Sequence, residues 1–526
     1  MPDAVVIGAG PNGLVAANVL ADAGWDVVVL EGQPAPGGAV KSGPLTGLDG
    51  FTHDLFSSFY PMAVASPAIG SLDLEAYGLR WCNAPLVLAD PAPDGSCAAL
   101  SRDIDETAAS LDAFAPGDGD AWRRLFGLFE RVREPLCDAA FGSPFPPIAA
   151  GARLAGTLRA DLPRFLRFLL LPVRRMVREE FHGEGAARLL AGSALHADLA
   201  PESSLGTAFG WLLCAVGQDA GWPTPEGGAG GLIAALVRRL ESRGGRVECD
   251  ANVTEVIVRR RRAAGVRLAD GREVDARRAV LADVGAPVLF RDLVGEGHLP
   301  PGTIEDLRRF EYDPGTVKVD WALDAPIPWT AADARRAGTI HVTDSLDQLT
   351  VHESELAREL LPSRPFLVMG QYSMTDATRQ PAGAETAWAY THVPQAWDER
   401  DAEEFVALIE TRVEELAPGF RDLIRARHVF TPRGLEHANP NLVGGAINGG
   451  TAQLHQQAIF RPTTRNVGRP ETAVRGLYLA SASAHPGGGV HGACGANAAR
   501  AALRRFRTGG RLRSSRAARA RRRGGA

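Results

Sequence analysis

The sequence predicts a two-domain α/β protein, and three observations support that prediction. Near the amino terminus, an apolar strand, a glycine-rich turn, a helix and a second strand follow one another. Near the carboxyl terminus, another strand runs through a second glycine-rich loop into a helix of small residues. The chain of 526 residues exceeds one ordinary domain, and its middle alternates helix-rich and strand-rich stretches. We therefore expect a Rossmann-like domain joined to a helix-covered domain with a mixed sheet.

The amino-terminal segment has the order of elements found in dinucleotide-binding sites. Ala4–Gly8 is a predicted strand, Leu14–Ala23 a predicted helix and Asp26–Leu30 a second predicted strand. The turn between the first strand and the helix reads Gly-Ala-Gly-Pro-Asn-Gly, and Glu31 follows the second strand. Because every flanking element is present, the pattern predicts a bound dinucleotide rather than an isolated glycine turn.

Each residue type in this turn has a physical task. Gly8 permits a tight turn, Gly10 lets the backbone approach a pyrophosphate, and Gly13 lets the helix pack on the strand. The amides at the helix N-terminus and the helix dipole favour phosphate, while a carboxylate at the end of the second strand can bind the adenosine ribose. The predicted cofactor-binding residues here are Gly8, Gly10, Pro11, Asn12, Gly13 and Glu31.

A second glycine pair distinguishes FAD from NAD as the expected cofactor. Gly37, Gly38 and Ala39 come shortly after Glu31, where an NAD-binding domain normally continues into its next helix. A pair of glycines in this place fits a pyrophosphate that is held from two sides. An ordinary turn would show the same residue types, so the position of the pair favours the cofactor.

The carboxyl-terminal segment supplies the matching half of such a site. Gly476–Ser481 is a predicted strand, and a helix is predicted from about Ala493 to Phe506. Amides at this helix N-terminus can stabilise negative charge on a reduced flavin ring. A simple capped turn is the alternative. The predicted cofactor-binding residues of the connecting loop are Pro486, Gly487, Gly488, Gly489, Val490 and His491.

These motifs resemble a known family. GAGPNGL, VVVLEGQPAPGGAV, NPNLVGG and GLYLASASAHPGGGVHGACGANAA are similar to the phytoene desaturase-like branch of the flavin amine oxidase superfamily. Within that branch the similarity is greatest to the group of pyridine nucleotide-disulfide oxidoreductase domain-containing protein 2, and it extends from about Val5 to about Leu503. The resemblance implies an α+β two-domain flavoprotein, an FAD-dependent oxidoreductase, and backbone contact between Val253 and the adenine.

The FAD-binding domain is expected to come from three separate pieces of chain. Between them we predict a helical substrate-side segment and a sheet-forming one, with strands over Thr316–Leu323 and Thr386–Val393 and a helix over Ala402–Leu416. The predicted boundaries are 1–80, 225–300 and 470–508 for the FAD-binding domain, 81–224 and 301–469 for the substrate domain, and 509–526 for an arginine-rich disordered tail.

The distribution of charged and apolar residues limits the kinds of partner that this protein can bind. Residues 504–526 hold ten arginines, so the rest of the chain has a clear acidic excess, which argues against a nucleic-acid-binding surface. The basic, apolar stretch Leu162–Arg178 fits either a helix that lies on a membrane or a helix packed on the core. We expect no cleavable signal and a cytoplasmic protein, with peripheral membrane contact as the alternative.

The sequence identifies no catalytic set of side chains. His485 and His491 are the candidates for proton handling, and structural places in the loop are the alternative. The scattered cysteines contain no CxxC pair, which argues against a structural metal or a dithiol relay. A second complete GxGxxG unit is absent from the middle of the chain, so we expect electrons to leave to oxygen, a quinone or another acceptor rather than through a nicotinamide domain.

Three functional hypotheses follow. The first is a phytoene desaturase-like enzyme that transfers a hydride to FAD from a mostly apolar small molecule, by dehydrogenation or in a flavin-assisted isomerisation. The second is a flavin amine oxidase, for which Ala39 is unfavourable because arginine commonly follows the glycine pair in those enzymes. The third is a lipid-binding or scaffold protein without turnover on the same fold.

Overall fold

The computed structural model of the protein describes residues 1–142 and 145–506. The predicted arginine-rich tail, 509–526, lies outside the described residues. The strands are β1 Ala4–Ile7, β2 Val27–Leu30, β3 Ser42–Gly43, β4 His53–Asp54, β5 Trp81–Cys82, β6 Leu86–Pro91, β7 Cys97–Leu100, β8 Thr224–Pro225, β9 Arg246–Glu248, β10 Val253–Arg259, β11 Arg262–Leu268, β12 Glu273–Asp275, β13 Ala279–Ala282, β14 Gly315–Leu323, β15 Ala337–Val342, β16 Leu367–Gln371, β17 Glu385–Val393, β18 Ile424–Phe430 and β19 Leu477–Leu479.

Helices make up most of the segment between β7 and β8 and flank both large sheets. The α-helices are α1 Pro11–Asp22, α2 Pro61–Ala65, α3 Pro67–Gly70, α4 Ile104–Asp112, α5 Asp118–Phe141, α6 Ile148–Leu158, α7 Leu162–Leu170, α8 Val173–Glu180, α9 Glu184–Leu195, α10 Gly206–Ala220, α11 Gly230–Ser242, α12 Pro301–Leu307, α13 Leu346–Ala357, α14 Ala402–Leu416, α15 Pro432–Ala438 and α16 493–506.

A five-stranded parallel sheet in the order β19-β13-β1-β2-β9 forms the Rossmann-like domain. Its strands come from three distant parts of the chain. The first part supplies β1 and β2, the second supplies β9 and β13, and the third supplies β19. Apolar residues of α1, α11 and α16 cover one face, and the antiparallel β10-β11-β12 sheet packs on the other. The predicted α/β class and the Rossmann-like domain are confirmed.

The second large sheet has seven strands in the order β18-β14-β17-β16-β15-β6-β7. It is mixed, since β15 pairs with β6 in parallel and the other pairs are antiparallel. The strands β6 and β7 lie in the part of the chain, 81–224, that the sequence predicts to be helical. This difference arises because β6 joins the sheet through β15, a partner far along the chain that no local pattern reveals.

The two faces of this sheet differ in chemistry because side chains alternate along a strand. On β14, Val317, Val319 and Trp321 point to an apolar core that α14 covers. The residues between them, Lys318 and Asp320, belong to the opposite face. That opposite face looks toward the helical segment and the Rossmann-like domain, so polar and aromatic side chains are concentrated at the junction of the domains.

The basic, apolar stretch forms two short helices, α7 and α8, rather than one. Phe165, Phe168 and Met176 are buried in the core around α9 and α10, so packing on the core accounts for one face. Leu166 and Leu170, on the other face, are 47% and 51% exposed. No helix within 1–142 or 145–506 is long and apolar enough to span a membrane.

We predict that Gly495→Ala destabilises the protein. An alanine Cβ at this position in α16 would lie 1.9 Å from the carbonyl oxygen of Asn12, so α1 and α16 would have to separate. Overpacking of this kind costs about 1–3 kcal/mol of unfolding free energy, measurable by denaturant titration.

Gly127→Ala is the matched control. Gly127 also lies in a helix, α5, but a Cβ there meets no atom within 4 Å. Because alanine favours helix over glycine, we expect no loss and a gain of up to about 1 kcal/mol. Equal effects of the two substitutions would contradict the close contact of α1 and α16.

Candidate active site

The two glycine turns of the amino-terminal segment touch each other at the carboxyl edge of the parallel sheet. The backbone of Gly37 donates a hydrogen bond to the carbonyl oxygen of Ala9, at 2.9 Å. A Cβ on Gly38 would lie 3.1 Å from the Cα of Gly10. Gly8 and Gly38 have φ values of +90° and +55°, which side-chain-bearing residues rarely adopt. The glycines therefore build a pair of facing backbone loops.

Glu31 holds the first of these turns in place. Its Oε2 accepts a hydrogen bond from the backbone of Ala9 at 2.7 Å, and its Oε1 accepts one from Gln33 at 2.9 Å. The backbone of Ala251 donates to the carbonyl oxygen of Glu31 at 2.8 Å, which brings the start of β10 and Val253 beside the end of β2. The predicted ribose-binding acid and the predicted adenine-side residue thus lie in one region.

The first turn of α1 is shaped to receive an anion. The N-cap residue, Gly10, has no side chain, and Pro11 occupies the first helical position. The backbone amide of Gly13 donates to Oδ2 of Asp283, at 2.8 Å. The buried Oδ1 of Asn12 has no hydrogen-bond partner among the described residues. This cradle of bare backbone and an orphaned amide oxygen fits the pyrophosphate and ribityl groups of a dinucleotide.

Asp283 does not figure among the residues predicted from sequence. It follows β13 directly, so the one feature of the sequence that could have pointed to Asp283 is an acid at the end of an apolar strand. The sequence does not reveal that β13 pairs with β1 and thereby places this acid at the glycine turn.

The carboxyl-terminal glycine segment packs directly on the amino-terminal one. Glycines in the first turn of α16 allow this contact, since a Cβ on Gly492 would lie 2.7 Å from Cγ2 of Val15. A Cβ on Gly488 would lie 2.8 Å from Oδ1 of Asn448, so this second strand-loop-helix unit also touches the segment that follows the NPNLVGG motif. The amino ends of α1 and α16 therefore lie against each other, an arrangement that a flavin site built from both segments requires.

The two histidines of the loop have different environments. Nδ1 of His491 accepts a hydrogen bond from the backbone of Ala493 at 3.0 Å, so this ring caps α16. Burial lowers the pKa of His491 to about 4 and that of His485 to about 3. Both imidazoles are therefore neutral at pH 7. The ring of His491 has a structural role, because it accepts the hydrogen bond from the start of α16.

Arg461 joins backbone segments near the glycine loop through hydrogen bonds. Its buried guanidinium donates to the carbonyl oxygens of Asn448, Gly450, Thr451 and Ala482, at 2.8–3.1 Å. A guanidinium with planar, fixed donors suits several carbonyls at once. The residue therefore fixes residues 448–451 against the segment that leads from β19 into the glycine loop.

A buried ion pair joins the Rossmann-like domain to the seven-stranded sheet. Arg379 lies 2.9 Å from Oδ1 and 3.0 Å from Oδ2 of Asp54, and both side chains are fully buried. The hydroxyl of Tyr372 donates to Oδ2 of Asp54 at 2.8 Å, and the Arg379 guanidinium lies 3.6 Å from the Tyr372 ring centre. Burial favours the neutral acid, but Arg379 outweighs this and lowers the pKa of Asp54.

Lys318 and Asp320 form a second buried pair on the inner face of the sheet. The Lys318 Nζ lies 2.5 Å from both carboxylate oxygens of Asp320 and donates to the carbonyl oxygen of Asp54 at 2.9 Å. His53 lies beside this pair, and burial together with Lys318 lowers its pKa to about 3. His53 and Asp54 thus anchor the domain junction.

A third charged cluster lies closer to the glycine loop. Nε2 of His392 is 2.9 Å from Oδ1 of Asp198. The side-chain amide of Asn448 donates to Oδ2 of Asp198 at 3.1 Å, and the Asn448 backbone donates to Asp313 at 3.1 Å. Burial lowers the pKa of His392, but the Asp198 carboxylate outweighs burial and raises it to about 9. Sequence reasoning missed this cluster because its members are far apart along the chain.

Comparison with known proteins identifies the family. Residues 12–503 match the family model of flavin containing amine oxidoreductases. The chain belongs to the flavin containing amine oxidoreductase family. It is therefore an FAD-dependent oxidoreductase by family, and the residues that form the two glycine turns, Glu31 and the first turn of α1 are those that would hold the cofactor.

Individual relatives agree with this assignment. The chain is 30% identical over 549 residues to mouse pyridine nucleotide-disulfide oxidoreductase domain-containing protein 2, covering 95% of this chain and 93% of that protein. It is 25% identical to the lycopene-forming phytoene desaturase of Pseudescherichia vulneris, covering 96% and 99%. A solved oxidoreductase of Methanosarcina mazei shares the fold at a TM-score of 0.61 and 16% identity, covering 95% and 99%.

We predict that the Asp198–His392 pair makes stability depend on pH. The folded-state pKa of His392, about 9, exceeds the unfolded value of about 6.5. Its stabilisation is therefore complete below about pH 6.5 and is lost as pH rises through about 9. The unfolding free energy of the wild type should fall over this range by about 1–3 kcal/mol more than that of His392→Gln.

Denaturant titrations at several pH values measure this difference. His455→Gln, which removes an exposed surface histidine, is the control and should keep the wild-type slope. Parallel curves for the wild type and His392→Gln would show that the imidazole carries no charge in the folded protein.

Proposed function

We propose that this flavoenzyme dehydrogenates a mostly apolar small molecule. The observation that supports the proposal is a row of aromatic side chains along the inner face of the seven-stranded sheet. Phe59 stacks on Tyr372 with ring centres 5.7 Å apart and lies 6.2 Å from Trp388, which in turn stacks on Tyr390 at 6.1 Å. Tyr372 and Trp388 are buried, whereas Phe59 and Tyr390 are partly exposed and offer flat apolar surface to an unsaturated chain or ring.

The names of relatives point in the same direction. The curated relatives include phytoene desaturases and hydroxyneurosporene desaturases, and one component of a limonene dehydrogenase from Castellaniella defragrans matches 30% of this chain. When FAD is bound, it supplies the hydride acceptor for such a reaction. The protein must then position one C–H bond, exclude water and accept a proton.

Asp198 is our candidate for the proton acceptor. Formation of a C=C bond removes a hydride from one carbon to FAD and a proton from its neighbour, so a base is required. Nε2 of His392 lies 2.9 Å from Oδ1 of Asp198, and Asn448, whose side-chain amide donates to Oδ2 of Asp198, lies beside Gly488 of the glycine loop. Its φ of +53° is uncommon for a residue with a side chain, which is typical of functional positions.

Flavin bleaching tests this proposal. The purified protein should carry FAD that acid precipitation releases, and anaerobic addition of an apolar polyene should bleach its visible absorption. Asp198→Asn should retain FAD but bleach about 10²-fold more slowly, since the proton acceptor is lost. Asp94→Asn, a change at an exposed turn, is the control and should bleach at the wild-type rate.

The other outcomes separate the remaining hypotheses. Bleaching by amines but not by polyenes would favour amine oxidation, and reoxidation by oxygen or by a quinone would identify the electron acceptor. Isomerised product without net bleaching would indicate flavin-assisted isomerisation. Failure to bind FAD, even after reconstitution, would leave a lipid-binding or scaffold protein.

We also propose that α6 and α7 contact an anionic membrane surface. Ile148, Leu166 and Leu170 are 82%, 47% and 51% exposed, which is unusual for large apolar side chains. Arg159, directly after α6, and Arg164, in α7, are exposed as well, and their charge complements acidic lipid. An apolar substrate partitions into membranes, so such contact would give the cleft access to it.

Vesicle co-sedimentation tests the membrane contact. The protein should bind vesicles of phosphatidylglycerol more than vesicles of phosphatidylcholine, and high salt should weaken that binding. Leu166→Glu with Leu170→Glu should abolish it, because charge then faces the bilayer. Val351→Glu, at an exposed valine of α13, is the control. Unchanged binding of the double variant would contradict this surface.

A further inference from the structure

Asp283 acts as a cap for α1 from a distant strand. A helix start normally presents a polar side chain at its N-cap, and this side chain accepts a hydrogen bond from the second or third helical amide. The N-cap of α1 is Gly10, and the amide of Gly13, the third helical residue, donates instead to Oδ2 of Asp283 at 2.8 Å. Asp283 thus takes the place of the missing N-cap side chain, at the turn where a phosphate would approach.

The three glycines of the first turn, Gly8, Gly10 and Gly13, surround this carboxyl group. A Cβ on Gly10 would lie 2.7 Å from Oδ2 of Asp283, and a Cβ on Gly13 would lie 3.2 Å from it. A Cβ on Gly8 would lie 2.9 Å from the Asp283 carbonyl oxygen. All three glycines therefore make room for Asp283 as well as for the cofactor.

This carboxyl group lies at the N-terminus of α1, beside which a dinucleotide places its pyrophosphate. A carboxylate beside two phosphate charges is repelled, whereas a carboxylic acid is not and can donate a hydrogen bond. The ionisable neighbours of Asp283 are Glu31, at the end of β2, and Cys494, in α16, and Lys41 lies on the turn that contacts Gly10. Burial, followed by Glu31, raises the pKa of Asp283 to about 7, while the Gly13 amide opposes this.

Burial also raises the pKa of Cys494 to about 12, so the thiol is neutral over the physiological range. Asp283 is thus the group at this turn that changes charge near neutral pH.

We propose that Asp283 couples FAD binding to the uptake of one proton. The bound cofactor stabilises the protonated carboxyl group, so FAD affinity falls as pH rises above neutrality. The inference rests on FAD as the family's cofactor and not on any substrate. It makes Asp283 a determinant of cofactor affinity rather than a catalytic residue.

Titration of the FAD-stripped full-length protein with FAD tests the inference. Quenching of FAD fluorescence should give a dissociation constant roughly tenfold larger at about pH 8.5 than at about pH 6. Calorimetry near pH 8 in buffers of different ionisation enthalpy should detect close to one proton taken up for each FAD bound. The Asp283→Asn protein should show neither effect and should bind FAD at least as tightly as the wild type at about pH 8.5.

Controls separate this inference from other failures. Asp26→Asn removes a surface carboxylate that pairs with Arg246, and it should keep the wild-type pH dependence. If Asp283→Asn does not fold, proton uptake by the wild type decides the matter alone. FAD binding that is independent of pH and takes up no proton would overturn the role of Asp283. Absence of FAD binding at every pH would instead remove the FAD assignment itself.

Discussion

Close backbone contact around the first turn of α1 is the constraint on which the site depends. The Gly37–Gly38 turn approaches from one side, α16 from another and Asp283 from a third. Each approach is possible only because a glycine leaves out a side chain that would collide with its neighbour. The same bare backbone exposes amides and a helix dipole, which is the chemistry that a pyrophosphate requires. Close packing and cofactor binding therefore both require glycine at these positions.

The second constraint is electrostatic and lies at the junction of the domains. The buried ion pair Asp54–Arg379 links β4 to the connection between β16 and β17, and Lys318, which pairs with Asp320 on β14, donates a hydrogen bond to the carbonyl oxygen of Asp54. Removing one partner of such a pair costs about 3–5 kcal/mol because the other charge stays buried and uncompensated. These contacts therefore hold the hairpin β3-β4 against the inner face of the seven-stranded sheet.

Local sequence patterns predicted helices and strands well where the residues of the element itself determine its buried face or its ends. The helix over Ala402–Leu416 has the predicted bounds, and β14 and β17 differ from the predicted strands by a residue at one end. The strands β6 and β7 escaped prediction because their pairing partner, β15, is far away along the chain. The cluster of Asp198, His392 and Asn448 escaped for the same reason.

By itself, the sequence determined the fold class, the family and the cofactor. Glycine spacing, strand order and an acid after the second strand are local features, because a helix N-terminus and its preceding turn are built from adjacent residues. Only the tertiary structure decided which distant side chains meet this turn. It brought Asp283 to the amide of Gly13 and gathered the aromatic and charged residues on one face of the mixed sheet, because strand pairing joins segments that share no local signal.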